Sequence, residues 1–217
     1  LMISMVLAVT CNAETESHGG ADDDKEVKVF LEDQFGEPFN STGERWLSGW
    51  NQDLAGGFID RGDIGTIVED NSDVLPVILE REFENMTYGE AFMDIRLKFQ
   101  TNTDGAEWVL RCDDKKIMGF TLADGNIELF TPQGTVTALK NYKYNDYYYI
   151  KFDFDVDKQT VKGVYIDGKC VAENIPFVTP VSKINNFVMR TYDETKGRFM
   201  MDMMRIYRGY KVFEQFI

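Results

Sequence analysis

Tyr147–Lys169, YYYIKFDFDVDKQTVKGVYIDGK, decides the fold. Apolar side chains hold every second position at Tyr148, Ile150, Phe152, Phe154 and Val156, and the charged Lys151, Asp153 and Asp155 stand between them. A period of two kept over this length predicts an antiparallel strand with one dry face and one wet face. A short polar turn, a second apolar strand and an Asp167-Gly168 turn complete the stretch.

The same rhythm extends outward in both directions. It is carried by Val27, Val29 and Leu31, by Val77 and Leu79, and by Met93, Ile95, Leu97 and Phe99. It returns in Ile127 and Leu129, in Phe187 and Met189, and in a last strand, Phe199–Arg208. Asp104-Gly105, Asp124-Gly125-Asn126 and Pro132-Gln133-Gly134 mark turns between the runs. No stretch of about 11 residues or more carries a helical apolar stripe. About a dozen short strands with tight turns and almost no helix predict an all-β, two-sheet antiparallel sandwich.

With 217 residues and 43% hydrophobic content, one such domain can bury a sizeable core. The net charge of −14 argues against nucleic acid, whose binders concentrate Lys and Arg on one surface. The same field repels polyanionic polysaccharides unless a cation bridges or a local basic patch overrides it, so neutral ligands are favoured. Acidity that merely keeps a secreted protein soluble is the alternative reading.

Leu1–Ala13, LMISMVLAVTCNA, resembles the apolar and cleavage regions of a secretory signal without its basic start. Lipidation at Cys11 is the weaker alternative. Residues 14–26 are polar and acidic and are expected to form a disordered tether, with the sandwich over residues 27–217. No segment has the roughly 20 apolar residues of a transmembrane helix. The start without Met and the lack of a clear end after Phe216-Ile217 suggest fusion to a further domain. Of the cysteines beyond the leader, Cys112 continues the parity of Trp108 and Leu110 and reads as a buried thiol. Pairing with Cys170 in an oxidising compartment is the alternative.

Four segments together resemble a known family. They are Glu32-Asp33-Gln34-Phe35, the strand Tyr147–Phe152, Val164-Tyr165-Ile166-Asp167-Gly168-Lys169, and a closing strand with an inward Asp202. The pattern is similar to the concanavalin A-like, laminin-G-like jelly rolls of secreted carbohydrate-active and surface proteins. That resemblance implies a jelly roll, an extracellular location, carbohydrate binding and a structural calcium ion.

The only histidine, His18, falls in the expected tether, which removes histidine acid–base catalysis, Ser-His-Asp triads and histidine-rich zinc sites from the domain. Glu80, Glu82 and Glu84 share one face of a strand at about 6.5–7 Å intervals. They are the candidate carboxylates of a glycosidase, although they do not match the family's Glu-x-Asp-x-x-Glu strand, and a charged strand edge is the simpler reading. Asp202 sits among methionines, where an ionised carboxylate needs compensation. Calcium held with Glu32 or Asp33 on a paired first strand would supply it; capping of backbone amides or exposure to water is the alternative.

Trp46, Trp50, Tyr142, Tyr144 and Tyr147 lie in polar loop-like stretches and are candidates for stacking on sugar rings, with core burial of Trp46 and Trp50 the competing possibility. Asn40-Ser41-Thr42 and Asn85-Met86-Thr87 are glycosylation sequons, and Arg61-Gly62-Asp63 reads as a turn rather than an adhesion tripeptide. The expectation is a secreted, non-catalytic glycan-binding module. A glycoside hydrolase or polysaccharide lyase domain, working through Glu82 and a neighbouring carboxylate or tyrosine, and a protein-adhesion module are the alternatives.

Overall fold

The computed structural model describes residues 27–35, 47–62, 65–101, 104–192 and 196–209. The expected leader and tether, Trp46, the Asn40 sequon and Asp63 lie outside the described residues. The strands are β1 (Lys28–Asp33), β2 (Asn51–Asp53), β3 (Gly57–Arg61), β4 (Thr66–Asp70), β5 (Ile78–Met86), β6 (Glu90–Phe99), β7 (Ala106–Cys112) and β8 (Lys115–Ala123). They continue as β9 (Asn126–Thr131), β10 (Gly134–Leu139), β11 (Tyr147–Asp155), β12 (Thr160–Ile166), β13 (Lys169–Pro176), β14 (Ile184–Thr191) and β15 (Gly197–Arg208). No helix occurs among the described residues.

An eight-stranded sheet runs β13-β12-β11-β6-β15-β4-β3, with β1 also paired to β15. A seven-stranded sheet runs β10-β9-β8-β7-β14-β5-β2. The expected hairpin is β11 and β12, with Ile150 opposite Ile166 and Phe152 opposite Val164. Because its apolar residues alternate, one side of β11 faces the other sheet: Ile150, Phe152 and Phe154 are fully buried. Trp108 on β7 stacks on Phe120 of β8 at 4.9 Å and meets Phe199 of β15 edge-on at 5.0 Å, so one aromatic layer joins both sheets.

Two bulges break the parity expected from sequence. In β1 the register slips between Val29 and Leu31, which turns Val29 out to 44% exposure while Leu31 stays in the core. In β15 it slips between Met201 and Met203, so Phe199 and Met201 face the core before the bulge and Met204 and Ile206 after it. Asp202 occupies the bulge; the expected inward aspartate instead reaches Arg96. Asp155, placed by sequence on the wet face, is buried because its carboxylate accepts the Lys158 amide and pairs with the Lys158 ammonium. Cys112 is a buried free thiol, as expected, and lies on a different sheet from Cys170.

The two sheets are also tied at one end by polar groups. Asp70 of β4 accepts a hydrogen bond from the Thr191 hydroxyl of β14 and another from the Ser72 amide at 2.9 Å. The same Thr191 hydroxyl accepts from the Val77 amide at 2.8 Å. Both side chains are buried, so each must be satisfied within the protein. Thr191→Val keeps the shape but removes both contacts, and should lower stability by about 1–3 kcal/mol in a urea titration; an unchanged midpoint would show that the tie carries no stability.

Candidate functional site

The strands β15, β6 and β11 lie side by side at the centre of the eight-stranded sheet. Their core-facing residues are Met204 and Ile206, Met93, Ile95 and Leu97, and Ile150 and Phe152. The alternate positions therefore project from the opposite face, away from the second sheet. Register brings them into rows. Tyr207, Phe92 and Asp153 form one row; Arg205, Asp94 and Lys151 form the next; Arg96 and Tyr149 pair in the third, and Lys98 and Tyr147 in the fourth.

Asp94 is the centre of this face. It is 3% exposed, and its Oδ2 accepts a hydrogen bond from the Tyr207 hydroxyl at 3.1 Å while Oδ1 has no hydrogen-bond partner. Burial pushes its carboxyl above the usual range, with Tyr149, Lys151, Tyr207 and Arg205 pulling it back in that order. The phenols of Tyr149 and Tyr207 are pushed far up by burial and by the Asp94 charge, so both remain neutral donors. Tyr207 stacks on Phe92 with ring centroids 5.2 Å apart, and the Lys151 ammonium lies 4.6 Å from the Phe92 ring centre.

A second group adjoins it. The Arg96 guanidinium lies 4.4 Å from the Tyr147 ring centre and pairs with Asp202 at 2.9 Å. Burial raises the Asp202 carboxyl and Arg96 draws it back. The Tyr147 hydroxyl is buried without a hydrogen-bond partner, and its ionisation is pushed up by burial and then by Asp202. Phe92, Asp94, Arg205 and Tyr207 are buried, whereas Tyr147, Tyr149, Arg96, Lys98 and Lys151 keep partial exposure, so these last are the rings and cations that a ligand can stack on and pair with.

The candidates from sequence are not gathered in one place. Trp50 is a core residue: its indole N–H donates to Asp33 at 2.8 Å, and its ring packs on Phe35 and Phe187. Tyr142 is also buried, against Phe99 at 4.8 Å, with its hydroxyl on Asp104 at 3.3 Å. Tyr144 is 50% exposed, and Tyr147 belongs to the face just described. Glu80, Glu82 and Glu84 lie on β5 in the other sheet, where Glu80 accepts from Asn186 and Glu84 pairs with Lys28 at 2.7 Å.

The three carboxylates considered for calcium have separate partners. Glu32 pairs with Arg205 at 3.0 Å, Asp33 holds the Trp50 indole, and Asp202 holds Arg96. They do not fit a shared ion, and no group of three or more metal-ligating side chains occurs among the described residues. Asp94, Tyr149, Arg205 and Tyr207 were not singled out from sequence. The alternation marked their wet parity but could not say which strands are neighbours.

No protein-family model matches the chain, and no curated protein sequence is similar to it. Solved structures are similar in fold. A sialidase superposes with a TM-score of 0.69 at 18% identity, over 82% of this chain and 18% of that one. The fold is the concanavalin A-like jelly roll. A non-specific endo-β-1,3(4)-glucanase of family GH16 gives 0.56 at 11% identity over 85% of this chain and 92% of its own. The carbohydrate-binding module CBM66 from Bacillus subtilis gives 0.50 at 12% identity over 74% and 96%. The chain thus spans under a fifth of the sialidase's length but most of the glucanase and the module. Among the described residues no helix is long and apolar enough to cross a membrane.

Two measurements check this arrangement. Addition of EDTA should leave the melting curve unmoved, since Glu32, Asp33 and Asp202 are matched without an ion; a clear fall in melting temperature would restore the calcium site. Asp94 has a raised folded-state value, so its contribution is full below the ordinary carboxyl range and is lost as pH rises through the raised value. Asp94→Asn should therefore gain on the wild type as pH rises across that window in thermal melts, and a constant difference would refute the assignment.

Proposed function

We propose that the chain is a non-catalytic glycan-binding module, accessory to a secreted polysaccharide-processing or cell-surface protein. The observation that carries this reading is the face of β15, β6 and β11, where the partly exposed Tyr147 and Tyr149 stand among Arg96, Lys98 and Lys151 in adjacent registers, beside the buried Phe92, Asp94, Arg205 and Tyr207. The core does not require these groups, because the opposite side of each strand supplies it. Apolar rings with a few placed polar groups are what a sugar needs: the rings meet its C–H faces and the polar groups fix its hydroxyls. Exposed Tyr144 adds a ring on the turn that leads into β11. Tethering an enzyme to its substrate through such a face raises local concentration without any chemistry of its own. Separation of Glu80, Glu82 and Glu84 from this face, on the other sheet, agrees with that division of labour.

A second reading, a carbohydrate-active enzyme domain, draws on Asp94 alone. A buried carboxyl held above its usual range beside two neutral phenols has the character of a general acid. The two readings part on one preparation. On immobilised glycans the chain should be retained without releasing new reducing ends, and Tyr149→Ala or Tyr144→Ala should weaken retention by about tenfold. Release of new ends that Asp94→Asn abolishes would favour the enzyme, and lack of retention on every glycan would reject the module.

A further inference from the structure

We propose that the end of this face formed by Arg96, Lys98 and Tyr147 receives the carboxylate of an acidic sugar, so that the ligand is a carboxylate-bearing glycan; the inference rests on the glycan-binding reading above. Arg96 and Lys98 hold alternate positions of β6, so their side chains leave the same face about 6.5–7 Å apart along the strand. Tyr147 stands opposite Lys98 on β11. The Arg96 guanidinium lies 4.4 Å from the centre of its ring and the Lys98 ammonium 5.3 Å, so one phenol ring holds two cationic heads.

These charges are reachable and incompletely matched. The Arg96 side chain keeps 40% of its exposure. Its contact with Asp202 goes through Nη1, and a guanidinium carries five N–H donors, so further donors remain for a second anion. Lys98 has no ion-pair partner among the described residues. Asp94, two positions before Arg96 on β6, accepts from Tyr207 and lies among Tyr149, Lys151 and Arg205.

In a chain of net charge −14, two cations held against one ring form the local basic patch that overrides the global field. The planar guanidinium fork fits a planar carboxylate in a bidentate manner, which favours carboxylate over other anions. Partly exposed Tyr149, opposite Arg96 on β11, supplies a ring beside the two cations. The Asn145 amide donates to the Phe99 carbonyl at 2.7 Å, which fixes the turn bearing exposed Tyr144 at the Lys98 end of β6.

The test is calorimetric titration of the full chain with oligogalacturonate, alginate and hyaluronan oligosaccharides. Each is paired with its carboxyl-reduced counterpart, and neutral and sulfated glucans are run beside them. At least one acidic oligosaccharide should bind, with its reduced counterpart weaker by about tenfold or more. Lys98→Gln and Arg96→Gln should each reproduce that loss, and added salt should weaken only the acidic ligand. Equal or tighter binding of neutral glycans, binding of sulfated glycans alone, or wild-type affinity in both variants would overturn the carboxylate assignment while leaving the glycan module standing. Failure of every glycan to bind would overturn both.

Discussion

The contact of Trp108 with rings from both sheets is the interaction on which the rest of the structure depends. Its indole stacks on Phe120 within its own sheet and meets Phe199 and Phe99 of the other at 5.0 and 6.2 Å. Phe120 in turn faces Phe152 across the interface at 6.3 Å. Burying a tryptophan is worth about 4–6 kcal/mol at 25 cal/mol per Å². The indole N–H of Trp108 has no acceptor, a cost of about 1–3 kcal/mol. Packing outweighs the orphaned donor, and that is why so large a polar-tipped residue can occupy the centre of the sandwich.

That layer also decides which side of each strand is left for other uses. Once Phe99, Phe152 and Phe199 point at Trp108 and Phe120, strict alternation sends Lys98, Lys151 and Met200 to the far side. The bulge at Asp202 adds a twist to this logic. One extra residue lets β15 keep apolar side chains in the core on both sides of it, and sets an acid beside Arg96. The far face is therefore a product of core packing, and its chemistry comes from residues the core leaves over.

How much of this was legible follows from what alternation can encode. The hairpin at Tyr147–Lys169 was readable because parity is a local property: β11, β12 and the start of β13 lie where the pattern puts them, with Phe152 and Phe154 buried. Parity failed at Val29 and Asp202, where a bulge inserts a residue that periodicity cannot announce. It also gave no sign that the Trp50 indole would meet Asp33, a partner 17 positions earlier on the other sheet. The candidate face was hidden for the same reason. Asp94 and Tyr207 are 113 residues apart, and only the pairing of β15 with β6 makes them neighbours. Wetness is written along a strand, whereas adjacency is written in the register between strands.

The two thiols bear on what holds the layers together. Cys112 and Cys170 belong to opposite layers and are not bonded to each other, and burial keeps the Cys112 thiol in its protonated, unreactive form. Among the described residues, cohesion rests on rings and apolar chains. The grip of one layer on the other is therefore set by apolar area and ring packing, with no sulfur–sulfur bond between Cys112 and Cys170 contributing to it.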